Sequence, residues 1–215
     1  EGIKMIDARC YDEDYFLRGK QTGKSLYENY RWIPELTIPM AESIVRHLGI
    51  LKGDCVLDFG CARGYVVKAF RLLGYDAWGV DVSEWAIDNV DPDVKQYCSL
   101  LSGSLTCADI DWVIAKDVLE HVEHVGGAIS DIMRTAVKGV LAVVPLSSVD
   151  DGRYVVEEYE KDVTHAHRLT LETWENLFMR CGWDVDASYR VVGIKDNYFK
   201  PGWEEANGFI TARRV

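Results

Sequence analysis

The sequence predicts an α/β fold, a mostly parallel sheet with helices on both faces. Three observations predict it. Short apolar strands alternate with capped helical stretches along most of the chain. The run Val140-Leu141-Ala142-Val143-Val144 is apolar throughout, as a strand covered on both faces is. Gly49, Gly74 and Gly182 stand just past helical stretches, where a left-handed stop is needed.

The elements follow in order. Residues 1–37 carry Tyr11, Tyr15, Phe16, Tyr27, Tyr30 and Trp32 with no clean period, and read as an irregular extension. Pro39 suits the first position of a helix whose face is Ile44, Val45 and Leu48. Residues 55–59 form the first strand and 65–73 a helix. Residues 76–80 form the second strand, and Ser83 caps a helix through Val90. The third and fourth strands are expected at 94–98 and 111–115. Ile129, Ile132 and Met133 then mark a helix face, and 140–144 is the fifth strand. Thr170 caps a helix with Leu171, Trp174, Leu177 and Phe178 at helical spacing. Residues 183–192 and 208–215 are the last two strands. Ligands of such sheets sit at the carboxyl ends of the strands.

Composition narrows the function. The chain has 215 residues, 48% hydrophobic and 27% charged, which fits neither a disordered nor a fibrous protein. Its longest apolar run, 140–146, is far short of the roughly 20 residues of a bilayer span, so no membrane association is expected. With 24 basic against 35 acidic residues the net charge is -11, which repels phosphate backbones and argues against a nucleic-acid partner. The six cysteines, Cys10, Cys55, Cys61, Cys98, Cys107 and Cys181, contain no Cys-x-x-Cys pair and read as reduced, small hydrophobic residues. The mixed N-terminus predicts no signal peptide, and a cytoplasmic location is the expectation.

The first strand ends in Asp58-Phe59-Gly60-Cys61-Ala62-Arg63-Gly64. A dinucleotide fingerprint counted from Gly60 would need glycine at Ala62 and Tyr65 as well. Asp58 also repels a pyrophosphate but suits a cation. Asp81 ends the second strand and can take both ribose hydroxyls of an adenosine. An adenosine ligand with a positive group and no phosphate points to S-adenosylmethionine.

The segment 56–65 resembles the first motif of class I S-adenosylmethionine-dependent methyltransferases, and Gly79-Val80-Asp81-Val82-Ser83 resembles their second. Asp111-Trp112-Val113-Ile114 followed by Asp117-Val118-Leu119-Glu120-His121-Val122 resembles the fourth-strand motif of the small-molecule branch that includes the ubiquinone-pathway O-methyltransferases. The likeness covers about 50–215. It implies a Rossmann-like seven-stranded sheet whose last strand is antiparallel. It divides the chain into residues 1–50, an N-terminal extension and helix covering the site, and residues 51–215, a cofactor-binding domain. It further implies that Asp58, Gly60, Cys61 and Gly64 line the methionine end of the cofactor. Asp81 would hold the ribose, Val82 would touch the adenine, and the backbone of Lys116 and Asp117 would approach the sulfonium. Ala62 replaces the commoner middle glycine. Ser99 stands where the family often has an aspartate for the adenine amino group, so that contact falls to a hydroxyl, a backbone carbonyl or a water.

Methyl transfer to a hydroxyl gains from a base, and a histidine of near-neutral pKa is the natural one. His121, after the fourth strand, and His165, in the segment before the Thr170 helix, are the expected catalytic residues, ahead of His167 and His124. Metal ligation by His121-x-x-His124 or Asp162-x-x-His165-x-His167 is not expected, since no thiolate pair supports it. The expected function is methyl transfer to a small-molecule acceptor at oxygen, by a monomer or homodimer. Methylation of a protein or RNA, and cofactor binding without catalysis, remain alternatives at this point.

Overall fold

The computed structural model describes residues 7–103, 105 and 109–215, and Cys107 lies outside them. Seven strands form one sheet: β1 Cys55–Phe59, β2 Asp76–Asp81, β3 Cys98–Leu100, β4 Ile110–Lys116, β5 Ala136–Pro145, β6 Asp184–Ser188 and β7 Asn207–Arg213. Their order is β3-β2-β1-β4-β5-β7-β6. The first five run parallel, and β7 pairs antiparallel with both β5 and β6. The order reverses between β1 and β4, where Asp58 lies opposite Ile114 on one side and Gly79 on the other.

Side-chain alternation along the central strands builds two apolar layers. Leu57, Phe59, Val113, Val140, Val144 and Ile210 face α6 (Val125–Thr135) and α7 (Leu171–Met179). Val56, Trp112, Ile114, Leu141, Val143 and Phe209 face α3 (Pro34–Leu48) and α4 (Tyr65–Leu72). The expected caps are present. Ser83 accepts from the Ala86 N–H at the start of the short helix α5 (Glu84–Asp88), and Thr170 accepts from the Thr173 N–H. Among the described residues no helix is long and apolar enough to cross a membrane.

Several boundaries differ from expectation. Pro34, not Pro39, opens α3, and Pro39 lies inside its second turn. The bond Pro39 cannot make would run to the carbonyl of Glu35 in the first turn, where the helix is least committed. Residues 95–97 form a 3-10 turn, so β3 begins at Cys98 and extends to Leu100. The Ser83-capped helix stops at Asp88, short of Val90, and β6 ends at Ser188, short of Val192. The extension is not wholly irregular: α1 (Glu13–Leu17) and α2 (Gly19–Thr22) are short helices.

Candidate active site

At the carboxyl end of β1 the chain turns through left-handed backbone at Gly60, Ala62 and Gly64, and at the end of β4 through Asp117. Gly60 has φ 82°, and a Cβ there would lie 2.6 Å from Val118 Cγ2, so the turn after β1 lies against the segment after β4 only because the residue is glycine. The Gly60 and Cys61 N–H groups both donate to the Val80 carbonyl, at 2.8 and 3.0 Å. Gly64 opens α4 at φ 75°, and a Cβ would meet Cys98 Sγ at 2.9 Å.

These turns border an open cleft, with about 520 Å³ free of atoms when the solvent at its mouth is counted. Phe59, Gly60, Ala62, Asp81, Val82, Leu101, Asp117, Val118 and His121 line its floor and walls, and Tyr11, Tyr15, Phe16 and Tyr27 line it from the N-terminal segment. That segment is held down by its own polar bonds. Ser83 Oγ donates to the Tyr11 carbonyl, and the Tyr15 hydroxyl donates to Asp162 Oδ2 at 2.9 Å.

The two aspartates differ in environment. Asp81 accepts from the Ala62 N–H at 2.7 Å and the Ser83 N–H at 2.8 Å. Burial still outweighs these bonds and raises its pKa. Asp58 is 5% exposed. Burial, helped by Asp81 and opposed by Lys116, pushes its pKa up to about 7. Asp117 sits at φ 55° and is clamped by the ammonium groups of Lys116 and Lys195, the latter at 2.6 Å from Oδ1. Burial alone would raise its carboxyl, but the two cations hold it below the usual range.

His121 and His165 come together, with ring centroids 4.7 Å apart. Burial lowers the pKa of both, and for His165, with His121 beside it, to about 4, so both imidazoles are neutral at physiological pH. Thr164 fixes the His121 tautomer. Its hydroxyl donates to Asp162 Oδ1 at 2.6 Å, so Oγ1 accepts from His121 Nδ1 at 2.9 Å and leaves Nε2 with its lone pair free. Nε2 lies 3.9 Å from Glu120 Oε1. Glu120 is buried, which together with Asp117 raises its pKa well above the ordinary value.

Other residues singled out in the sequence lie elsewhere. Ser99 is exposed and does not line the cleft; Leu101, whose N–H donates to the Asp81 carbonyl at 2.7 Å, lines that edge. Cys61 and Gly64 pack beneath the turn, and the Lys116 ammonium points to Asp117. His124 is exposed, and His167 Nε2 donates to the Val122 carbonyl at 2.7 Å. Sequence reasoning assigned no role to Thr164 or Leu101. Only Thr164 had a signal, its place beside Asp162 and His165.

A family model described as a methyltransferase domain matches residues 36–188. No curated protein matches the chain. Among solved structures, the chain is similar to the [4+2]-cyclase SpnF at 14% identity and a TM-score of 0.66, covering 100% of this chain and 98% of that one. It is similar to an S-adenosylmethionine-dependent methyltransferase from Aquifex aeolicus at 14% identity and a TM-score of 0.59, covering 85% and 92%. It is similar to phosphoethanolamine N-methyltransferase 2 of Haemonchus contortus, in complex with phosphomonomethylethanolamine and S-adenosylhomocysteine, at 15% identity and a TM-score of 0.62. That match covers 81% of this chain and 52% of the other. At these identities the likeness is one of fold.

Proposed function

The chain belongs to the methyltransferase domain family, and from that premise we propose that it transfers the methyl group of S-adenosylmethionine to a small-molecule acceptor, at oxygen. The observation that carries this reading is the roofed cleft. It is lined mostly by apolar and aromatic side chains with a few polar groups, Asp81, Asp117 and His121 among them, as small-ligand sites are. Strand ends form one side and four aromatic rings of the N-terminal segment the other.

In this reading Asp81 holds the ribose, Val82 and Leu101 flank the adenine, and the turn Gly60-Cys61-Ala62 with Asp58 takes the methionine end. Gly64 shapes that turn from below, and Ser99 has no direct contact. Residues 11–30, within the 1–50 extension, cover the bound cofactor. Aromatic faces near the sulfonium add attraction of about 0.5–2 kcal/mol. The acceptor oxygen sits at Glu120, His121 and His165, whose neutral imidazoles offer lone pairs that activate it. The carbon is already activated by sulfonium, so alignment supplies much of the rate, roughly 7–11 kcal/mol in favourable cases.

Calorimetry tests the cofactor. S-adenosylmethionine should bind and NAD should not, and the reverse result removes the assignment. Asp81→Ala should weaken S-adenosylmethionine binding by roughly 1.5–3 kcal/mol, the range for hydrogen bonds to a charged group. A metabolite screen for methyl acceptors then tests oxygen as the target atom.

A further inference from the structure

We propose that Tyr15 is a positioning residue for His121: through Asp162 and Thr164 it makes the state of the imidazole depend on the N-terminal segment lying over the cleft. This role rests on the reading above, in which His121 activates the acceptor and the segment covers the cofactor. Each link is a hydrogen bond between buried residues. The Tyr15 hydroxyl donates to Asp162 Oδ2 at 2.9 Å, joining residues 147 positions apart. Asp162 Oδ1 accepts from the Thr164 N–H at 3.0 Å and from the Thr164 hydroxyl at 2.6 Å. His121 Nδ1 in turn donates to the Thr164 hydroxyl oxygen at 2.9 Å and to the Thr164 carbonyl at 3.2 Å.

The direction of these bonds selects the tautomer. A carbonyl can only accept, so Nδ1 carries the proton and Nε2 keeps its lone pair. That tautomer is favoured while the Thr164 hydroxyl stays aimed at Asp162. The two carboxylate oxygens have different anchors. The backbone of the 162–164 turn holds Oδ1, and Tyr15, from the N-terminal segment, holds Oδ2. Without the Tyr15 hydroxyl the carboxylate can turn about its Cβ–Cγ bond. The Thr164 hydroxyl then gains an alternative, donation to Nδ1, which shifts the ring proton to Nε2 and removes the lone pair there. Tyr15 is itself fixed within the segment. Ser25 Oγ donates to its carbonyl at 2.5 Å, and its ring meets Tyr11, Phe16 and Tyr27 edge-on. A second bond ties the same two stretches together, from the Val163 N–H to the Lys24 carbonyl at 3.2 Å.

The consequence is an order of events. Laying the segment over the cofactor places Tyr15 on Asp162, and the same contact gives His121 the tautomer that can accept a proton from the acceptor hydroxyl. A segment lifted from the cleft loses the cover and the tautomer together. The base is therefore set where a methyl donor is enclosed. By linkage the coupling is reciprocal, and a ring held in this tautomer favours the closed segment. A route through the rings alone, Tyr15 to Tyr11 and Tyr11 to His121 with centroids 5.0 and 5.9 Å apart, would not depend on the Tyr15 hydroxyl.

The test is Tyr15→Phe, which keeps the ring and its packing and removes the hydroxyl. Nitrogen-15 NMR of the imidazoles in the ligand-free full chain reads the tautomer, with the His121 signals assigned by their loss in His121→Gln. Wild type should show a protonated Nδ1 and an unprotonated Nε2. In Tyr15→Phe the ratio of that tautomer to the other should fall by roughly twofold to tenfold, the effect of one hydrogen bond. Asp162→Ala frees the Thr164 hydroxyl from the other side and should shift the ratio at least as far, so it carries the test if Tyr15→Phe fails to fold. Thr164→Val removes the hydroxyl between them, and in that background adding Tyr15→Phe should shift His121 no further. An unchanged His121 spectrum in folded Tyr15→Phe, or an equal further shift in the Thr164→Val background, overturns the role. S-adenosylmethionine titrated into wild type by calorimetry separates the two ideas. A tautomer shift without cofactor binding keeps the link and defeats the methylation reading; cofactor binding with no tautomer shift does the opposite.

Discussion

Ala62 holds φ at 47°, a region that costs an L residue about 1–2 kcal/mol. Its N–H is bonded to Asp81 Oδ2, so the bond that ties the β1 turn to β2 also holds the strain. Ala62→Gly removes the strain but adds unfolded-state freedom of roughly 0.5–1 kcal/mol. The balance predicts a gain of about 0.5 kcal/mol, or roughly 1–2 °C in melting temperature. Ala62→Val should melt lower than wild type, and equal midpoints for all three proteins would show an unstrained turn. Asp58 predicts a pH effect. Its folded-state pKa of about 7 lies above the unfolded value near 3.8, so folding favours the protonated form. That stabilisation is complete below about pH 4 and is lost as pH rises through about 7, a swing on the order of 4 kcal/mol. Asp58→Asn should flatten the stability profile of the ligand-free protein across that window in denaturant titrations. The same sign runs the other way for a cationic ligand, whose affinity should fall by up to about tenfold per pH unit below 7. The spacing of Asp58 and Asp81 was readable from the sequence. The unusual charge state of Asp58 was not, because it depends on how deeply the sheet buries it.

The helix and strand elements were legible where their chemistry is local. Ser83 and Thr170 cap helices by bonding to N–H groups three residues on, and β5 is buried along its length from Gly139 to Pro145. Elements were misread where tertiary contacts decide. Cys98 begins β3 because it pairs with Gly79 on β2, a contact 19 positions away that no local pattern contains. Pro34 and Pro39 both permit a helix start, and the packing of Ile38 against the layer beneath α3 favours the earlier one. The turn after β1 predicts its own test. Gly60→Ala places a methyl 2.6 Å from Val118 Cγ2 in a backbone conformation at φ 82°. Overpacking of about 1–3 kcal/mol adds to about 1 kcal/mol of backbone strain. Adding Val118→Ala should recover the steric part and leave the backbone part. Chemical denaturation of the single and double variants measures both, and no recovery in the double would place the cost entirely in the backbone.

At the scale of the whole molecule, the N-terminal segment meets the short helix after β2 through an aromatic contact. Phe16 is buried and stacks on Trp85, with centroids 5.5 Å apart and planes at 16°, while Tyr15 crosses it edge-on at 5.1 Å. No periodicity in residues 1–37 announced this, because the cluster is stitched from Tyr11, the short helix Glu13–Leu17, the loop through Tyr30, and Trp85. Its burial is separate from the two layers that flank the sheet. Phe16→Ala should therefore cost about 3 kcal/mol or more, the usual loss for a buried phenylalanine. Because the sheet has its own core, that cost should fall on the segment and not on the molecule. Hydrogen exchange should rise for amides of 11–30 and stay unchanged for those of β1, β4 and β5. If the segment roofs a bound cofactor, the dissociation rate of S-adenosylmethionine should increase together with that exchange. Uniform loss of protection across the sheet would instead make the segment part of one cooperative core, and an unchanged dissociation rate would show that it does not hold the ligand.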